Sequence, residues 1–444
     1  MPLSHDDLFA PFFRAMKPPA QWRVGAEAEK FGVRGVNHAA LPYQGPGGVL
    51  EILESLASGF GWDPVRETEG GPIIALERAG AHVSLEPGGQ LELSGAPLPD
   101  VHQIRAETAV HMEELHKVCA PLGITWLGVG FHPFARQEDL PWVPKQRYGI
   151  MKEYLPTRGA RALDMMRRTA TVQANFDYAS EQDALRKLRV ALRLSVVVTA
   201  MFANAPFYEG RSTGKHSERA EVWLAVDPDR QGLLPAMWNP KSKLADYVEW
   251  ALDVPMFLFK RNGVARRNTG QSFRAFMQSG FGGEYPDLHD WELHLNTLFP
   301  EVRLKNTLEV RGGDSLPLRY APALPALWMG LLYDAKALDE AEALSESFTS
   351  SEMQALRPVV AKDGLGAVFR GKRLGPVAER LLAIAHGGLA RRARLDADGA
   401  DETIHLAPLA KLVAAGKCPA DELVEGLPAE PRAMADELVR RLAL

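Results

Sequence analysis

Residues 22–31 and 72–95 alternate apolar with polar or acidic side chains and are broken by glycine, the period-two spacing that predicts strands and hairpins. The period changes over 102–119, where apolar positions recur at helical spacing behind the start signal Pro97-Leu98-Pro99-Asp100, which predicts one long surface helix. Residues 124–131 and 170–178 return to strand character, the second setting Thr171, Gln173, Asn175 and Asp177 against Val172, Ala174 and Phe176. A helix is expected over 180–203, capped by Ser180, carrying Leu185, Leu188, Leu192 and Val196 onto the sheet, and ending before Pro206. Residues 303–311 form the last strong strand candidate, and 322–444 is helical in period, interrupted by Pro and Gly. The pattern predicts an α+β unit over 1–320 with a helical C-terminal region over 321–444 packed on it, or one domain overall.

With 46% hydrophobic and 24% charged residues, a chain of 444 residues falls in the globular class and can bury a large core. Its net charge of −5, from 51 basic and 56 acidic residues, lacks the global field that gathers nucleic acid or anionic membrane. A small-molecule substrate is therefore expected, and neither nucleic acid nor membrane as partner. The first residues lack the basic flank and apolar core of a signal peptide, and no apolar run is long enough for a bilayer, so a cytoplasmic location is expected. Cys119 and Cys418 are too few for a disulfide scaffold and have no metal-type spacing.

The chemistry concentrates in acidic residues at spacing two on strand-like segments. Glu27 and Glu29 stand in Val24-Gly-Ala-Glu-Ala-Glu-Lys-Phe31, and Glu86, Gln90 and Glu92 in Ser84-Leu-Glu-Pro-Gly-Gly-Gln-Leu-Glu-Leu-Ser94. Residues i and i+2 share one face of a strand. A solvated outer face would explain any one such pair. Two features argue for more: Pro87-Gly88-Gly89 permits a tight turn or close backbone approach to a ligand, and a further carboxylate recurs in Leu308-Glu-Val-Arg-Gly-Gly-Asp314. Carboxylates gathered on one face repel unless cations lie between them. Magnesium, with its oxygen-only preference and its tie to substrate phosphates, is the natural ion.

Gln173 and Asn175 add neutral oxygens from a neighbouring strand. Lys305 and Arg311 flank Glu309, while Arg211, Lys215 and Arg219 lie in a glycine-containing loop suited to an amino-acid carboxylate, where Arg offers a bidentate fork. Singly, each of these cations is more often a solvated surface charge. Gly210-Arg-Ser-Thr-Gly-Lys-His-Ser217 lacks the glycine spacing of a phosphate-binding loop. His102, His111 and His116 read as surface or packing residues of one helix, and His289 with His294 would not share a helical face.

Set side by side, these segments resemble the plant-type glutamate–cysteine ligases of plants and bacteria. The resemblance is nearly chain-long and rests on Glu27-Ala-Glu-Lys-Phe31, Val83 through Pro97, Gly128-Val-Gly-Phe131, Arg147-Tyr-Gly-Ile-Met151, Met165-Met-Arg-Arg-Thr169, Val172-Gln-Ala-Asn175, Phe202-Ala-Asn-Ala-Pro-Phe207, Ala251-Leu-Asp-Val-Pro-Met256, Phe299-Pro-Glu-Val-Arg-Leu304 and Glu309-Val-Arg-Gly312. It implies a funnel-like antiparallel sheet of the glutamine-synthetase-like carboxylate–amine ligase type, with ATP and two or three magnesium ions on its polar face and helices covering the other.

By the same resemblance, Glu27, Glu29, Glu86, Glu92, Gln173 and Glu309 are expected at the metals, with Glu86, Glu309 and Arg219 closest to the chemistry. Arg219 is expected on the glutamate carboxylate, Thr171, Asn175 and Arg211 near substrate, and Glu29 with Lys305 and Arg311 at ATP, the two cations on grounds of charge. The implied reaction phosphorylates the γ-carboxylate of glutamate and lets the amine of cysteine displace phosphate, in a monomer or homodimer. One departure matters: the plant regulatory cysteines align with Arg105 and near Ala321, so disulfide control does not carry over, and Cys119 and Cys418 are expected to be inert buried thiols. Two other readings stay open, a sister ligase using another amine or serving another thiol pathway such as ergothioneine, and a nucleotide-binding sensor without turnover.

Overall fold

Strand formation follows the period-two segments, and the glycines between them set the turns. In the computed structural model, which describes residues 3–444, ten strands form one antiparallel sheet. In chain order they are β1 (Val24–Arg34), β2 (Ala39–Ala40), β3 (Asp63–Val65), β4 (Ala75–Arg78), β5 (Ala81–Leu85), β6 (Leu91–Ser94), β7 (Ile124–Leu127), β8 (Thr171–Phe176), β9 (Val302–Leu304) and β10 (Leu308–Asp314). The spatial order is β9-β10-β8-β1-β6-β5-β4-β3. β1 is the hinge of the sheet: its first half lies between β8 and β6, and its second half, from Phe31, pairs with β7 and β2.

One face of this sheet is apolar. Val172, Ala174 and Phe176 of β8 are fully or almost fully buried, and full burial of such a side chain stabilises by roughly 1.5–3 kcal/mol. The helices that matter below are α1 (Val49–Phe60), α2 (Val101–Cys119), α3 (Glu181–Met201), α4 (Glu218–Trp223), α5 (Ala323–Leu332), α6 (Ser350–Asp363), α7 (Gly375–Arg392), α8 (Pro419–Val424) and α9 (Pro431–Leu442). α3 begins where the Ser180 hydroxyl accepts from the Asp183 N–H, the expected cap. It lies on β9 and β10 with α6 against it, and is buried on nearly every side rather than along one stripe. The C-terminal helices α5, α6 and α7 contribute to the same core as α3 and β8. A second core joins α1 and α2 to the β4–β6 end, and α9 closes over Phe31, Val33 and Leu127. Among the described residues no helix is long and apolar enough to cross a membrane.

Candidate active site

Residues directly opposite in an antiparallel pair share a face, so the register alone collects the polar side chains. Glu29 stands opposite Glu92, and Glu27 opposite both Ser94 and Gln173. Asn175 stands opposite Glu309, and Glu309 opposite Arg303. Glu86 follows β5 at the turn, where its backbone N–H donates to the Gln90 carbonyl at 2.9 Å. The turn needs its glycines: Gly89 has φ +83°, and a Cβ on Gly88 would lie 2.4 Å from the Arg167 carbonyl oxygen. Gln90, which spacing groups with Glu86 and Glu92, is instead the anchor of this turn, donating to the Thr169 carbonyl at 2.9 Å and accepting from the Gly88 N–H.

The gathered carboxylates destabilise one another's charge. Burial, then Glu309 and Glu92, push the Glu27 carboxyl up to about 8. Glu29 is driven well above the usual range by burial, Glu86 and Glu92, although it accepts from the Thr171 N–H at 2.9 Å. Glu86 is raised by burial and Glu92 against the pull of Arg147, Lys145 and Arg311. Glu92 accepts from the Ser84 and Ser94 hydroxyls at 2.8 and 2.9 Å. Burial and mutual repulsion thus favour the neutral carboxyls of Glu27, Glu29 and Glu86, a tendency that a divalent cation among them would reverse. A donor set of oxygens alone suits magnesium.

A melting experiment tests this. The folded chain keeps on Glu27 a proton that the unfolded chain gives up, so that stabilisation is complete below pH 4.5 and is lost as pH rises through about 8. The melting temperature of metal-free protein is expected to fall across that window, and saturating magnesium to flatten the fall. Parallel curves with and without magnesium would show that the face does not take the ion.

Glu309 has a different setting from the other carboxylates. It is fully buried and held by Arg303 through both oxygens at 2.7–3.0 Å, by Lys305 at 3.0 Å and by Arg311. Burial alone would raise its carboxyl, but Arg303, Lys305 and Arg311 overcome this and hold it well below the usual range. In this structure its oxygens are engaged with cations. The register slips between Val310 and Gly313, and this bulge turns Arg311 inward to donate to Gln173 Oε1 at 2.6 Å.

The loop cations separate. Arg219 is buried and donates to the Arg311 and Gly312 carbonyls at 2.8 and 3.4 Å, with Asp314 3.7 Å away. With Arg311, Thr199, Glu301 and Arg357 it lines a small cavity at one end of the polar face. Lys215 is tied to Glu218 at 3.2 Å, and Arg211 is exposed on a short hairpin, not joined to the carboxylates. The Thr171 hydroxyl is committed to the Gly313 carbonyl at 2.6 Å. Asn175 donates to Glu27 at 2.7 Å and, with Lys305 and Thr307, lines a cleft of about 860 Å³ at the other end.

Two residues escaped sequence reasoning. Arg303 of β9 and Lys305 just past its end alternate in the sequence, and the hairpin into β10 sets both beside Glu309. Exposed Arg147, inside a motif already noted, packs over the Tyr148 ring, whose hydroxyl reaches Glu86 at 3.5 Å.

An antiparallel sheet with carboxylates lining one face and helices covering the other is the fold of this chain. It is shared with the glutamate–cysteine ligase from Francisella tularensis in complex with AMP at TM-score 0.54, 11% identity, 95% of this chain and 89% of that one. The bifunctional glutathione synthetase from Pasteurella multocida also scores 0.54, at 11% identity over 98% of this chain and 53% of its own. The chain belongs to glutamate–cysteine ligase family 2, whose profile matches residues 23–443. It is 43% identical over 427 residues to the chloroplastic glutamate–cysteine ligase of Brassica juncea, covering 96% of this chain and 81% of that protein. The corresponding figures for the Arabidopsis thaliana enzyme are 42%, 96% and 80%.

Proposed function

We propose that this protein joins the γ-carboxylate of L-glutamate to the amine of L-cysteine at the expense of ATP, giving γ-glutamylcysteine, ADP and phosphate, the first step of glutathione synthesis. Family membership supports the reaction, and one structural observation carries the site: Glu27, Glu29, Glu86 and Glu92 converge on one sheet face, where burial and then their mutual repulsion raise the carboxyls of Glu27, Glu29 and Glu86. Magnesium held there would neutralise these carboxylates together with nucleotide phosphate oxygens, which lowers the repulsion between a phosphoryl group and an anionic glutamate.

The chain's own residues do the rest by preorganisation. The strands fix the carboxylates before substrate arrives, so no reorganisation is needed as charge moves. Lys305 and Asn175 border a cleft whose volume is in the range of ligand pockets, which supports nucleotide binding at that end. Arg219 and Arg311 border the smaller cavity, where guanidinium groups suit the α-carboxylate of glutamate. The γ-carboxylate would then face the metal-binding glutamates between the two ends. Phosphorylation makes it an acyl phosphate, and attack by the cysteine amine through a tetrahedral intermediate expels phosphate.

Product identification by mass spectrometry, with ATP, magnesium, glutamate and cysteine, tests the proposal beside a Glu86→Gln control. The dipeptide is expected from the parent and at strongly reduced yield from the variant. ATP hydrolysis with another amine consumed would move the assignment to a sister ligase, and nucleotide binding without turnover to a sensor.

A further inference from the structure

His216, Cys418 and Asp421 meet outside the carboxylate face. Their donor atoms all lie within 4.8 Å of one another, although His216 and Asp421 are 205 positions apart in the chain. His216 is fixed at its backbone by the end of α6, where its N–H reaches the Ala361 and Lys362 carbonyls at 3.1 Å. Its ring is oriented too. Nδ1 lies 2.7 Å from the Lys362 carbonyl, which only accepts, so Nδ1 carries a proton and Nε2 is left to face Asp421 Oδ1 at 2.9 Å. Such an outer hydrogen bond to a backbone carbonyl is what holds a metal-ligating histidine in the correct tautomer.

Cys418 is fully buried at the N-terminus of α8, with Sγ 3.3 Å from Asp421 Oδ2. Gly364 forms the wall: its φ is +50°, and a Cβ there would come 2.9 Å from the His216 ring and 3.3 Å from Cys418 Sγ. Thiol, imidazole and carboxylate meet there, and the His216 and Asp421 side chains are partly exposed to solvent. Hard oxygen-seeking magnesium does not prefer this set, whereas zinc does, at four-coordinate sites completed by water.

We propose that His216 Nε2, Cys418 Sγ and the Asp421 carboxylate form a binding site for a thiophilic divalent cation of the zinc class, distinct from the magnesium face. Coordination replaces the Cys418 thiol proton and any proton between His216 and Asp421, and these go to solvent. The ion clamps α8 to the loop that enters α4. In that loop Ser217 donates to Asp314 at 3.0 Å, and in the first turn of α4 Arg219 reaches the Arg311 carbonyl, so occupancy would stiffen the chain leading to the substrate end of the active site.

Cobalt(II) added to the full-length chain, with magnesium saturating the carboxylates, provides the test, because thiolate ligation gives a near-ultraviolet charge-transfer absorption. One cobalt per chain with that absorption is expected in the parent and in Cys119→Ser, and its loss in Cys418→Ser. His216→Gln, at a half-exposed position, is expected to weaken binding by about 10- to 100-fold or more, the loss already typical of outer-shell partners. Zinc should displace the cobalt and raise the melting temperature of the parent but not of His216→Gln. Cobalt bound without thiolate absorption, absorption persisting in Cys418→Ser, or no bound cobalt would each reduce the cluster to a hydrogen-bonded contact. If Cys418→Ser does not fold, unchanged affinity in His216→Gln would overturn the site by itself.

Discussion

Glu29→Gln is expected to lower kcat/KM for γ-glutamylcysteine formation by about 10²- to 10³-fold, equivalent to roughly 2.7–4 kcal/mol of transition-state stabilisation, while leaving the metal-free protein close to the parent in stability. Glu29 is central to the acidic face: it stands opposite Glu92, burial and then Glu86 raise its carboxyl, and β8 donates to it through the Thr171 N–H. Removing its charge deletes one ligand for the neutralising cation. The same change costs the metal-free fold little, because the amide resembles the neutral carboxyl that burial already favours there. Steady-state kinetics beside thermal melting read the two effects separately. A loss of activity that tracked a loss of melting temperature would make Glu29 a packing residue, and activity within about threefold of the parent would remove it from the machinery.

The elements that alternate cleanly were legible because the sequence carries the sheet's own period. Glu27 and Glu29 share a face for the same reason that Ala26 and Ala28 share the opposite one, and no tertiary information is needed to see it. Lys30 shows the other side of that rule: in the same motif it falls on the covered face, donates to the Ala28 carbonyl at 3.1 Å and is pulled down to about 7 by burial. Register was not legible. That Asn175 meets Glu309, and Glu29 meets Glu92, follows from turns and a bulge whose geometry depends on which strands become neighbours. The spacing of Leu185, Leu188, Leu192 and Val196 predicts that α3 packs on the sheet, but not that Arg186 and Arg189 reach Glu342 on a C-terminal helix at 2.7 and 3.1 Å. Long-range pairing of that kind leaves no local signal, and the His216, Cys418 and Asp421 cluster is hidden for the same reason.

Arg303→Met is expected to lose both stability and activity, by about 3–5 kcal/mol in denaturant unfolding, because it removes one partner from a buried ion pair. Arg303 grips Glu309 through two nitrogens and also donates to the Asn296 and Leu298 carbonyls at 3.0 and 2.9 Å. Methionine fills much of the space but satisfies none of these acceptors. Lys305 and Arg311 would remain, so Glu309 stays charged, but Arg311, whose Nη1 already joins both Glu309 and Gln173, is drawn further onto the carboxylate at the expense of Gln173, which disturbs the polar face. The pH dependence has a definite sign. The depressed carboxyl of Glu309 contributes stability that is present above the ordinary carboxylate range and lost as pH falls through its folded value. With Arg303 gone that value moves up, so acid unfolding of Arg303→Met begins at a higher pH than in the parent. Arg303→Met/Glu309→Leu separates charge from packing: it should unfold at a higher denaturant concentration than Arg303→Met alone, since no anion is then left short of its partner. A loss below about 1 kcal/mol in the single variant, or a double variant no better than it, would mean that Lys305 and Arg311 suffice for Glu309 and that Arg303 is held there for its backbone contacts alone.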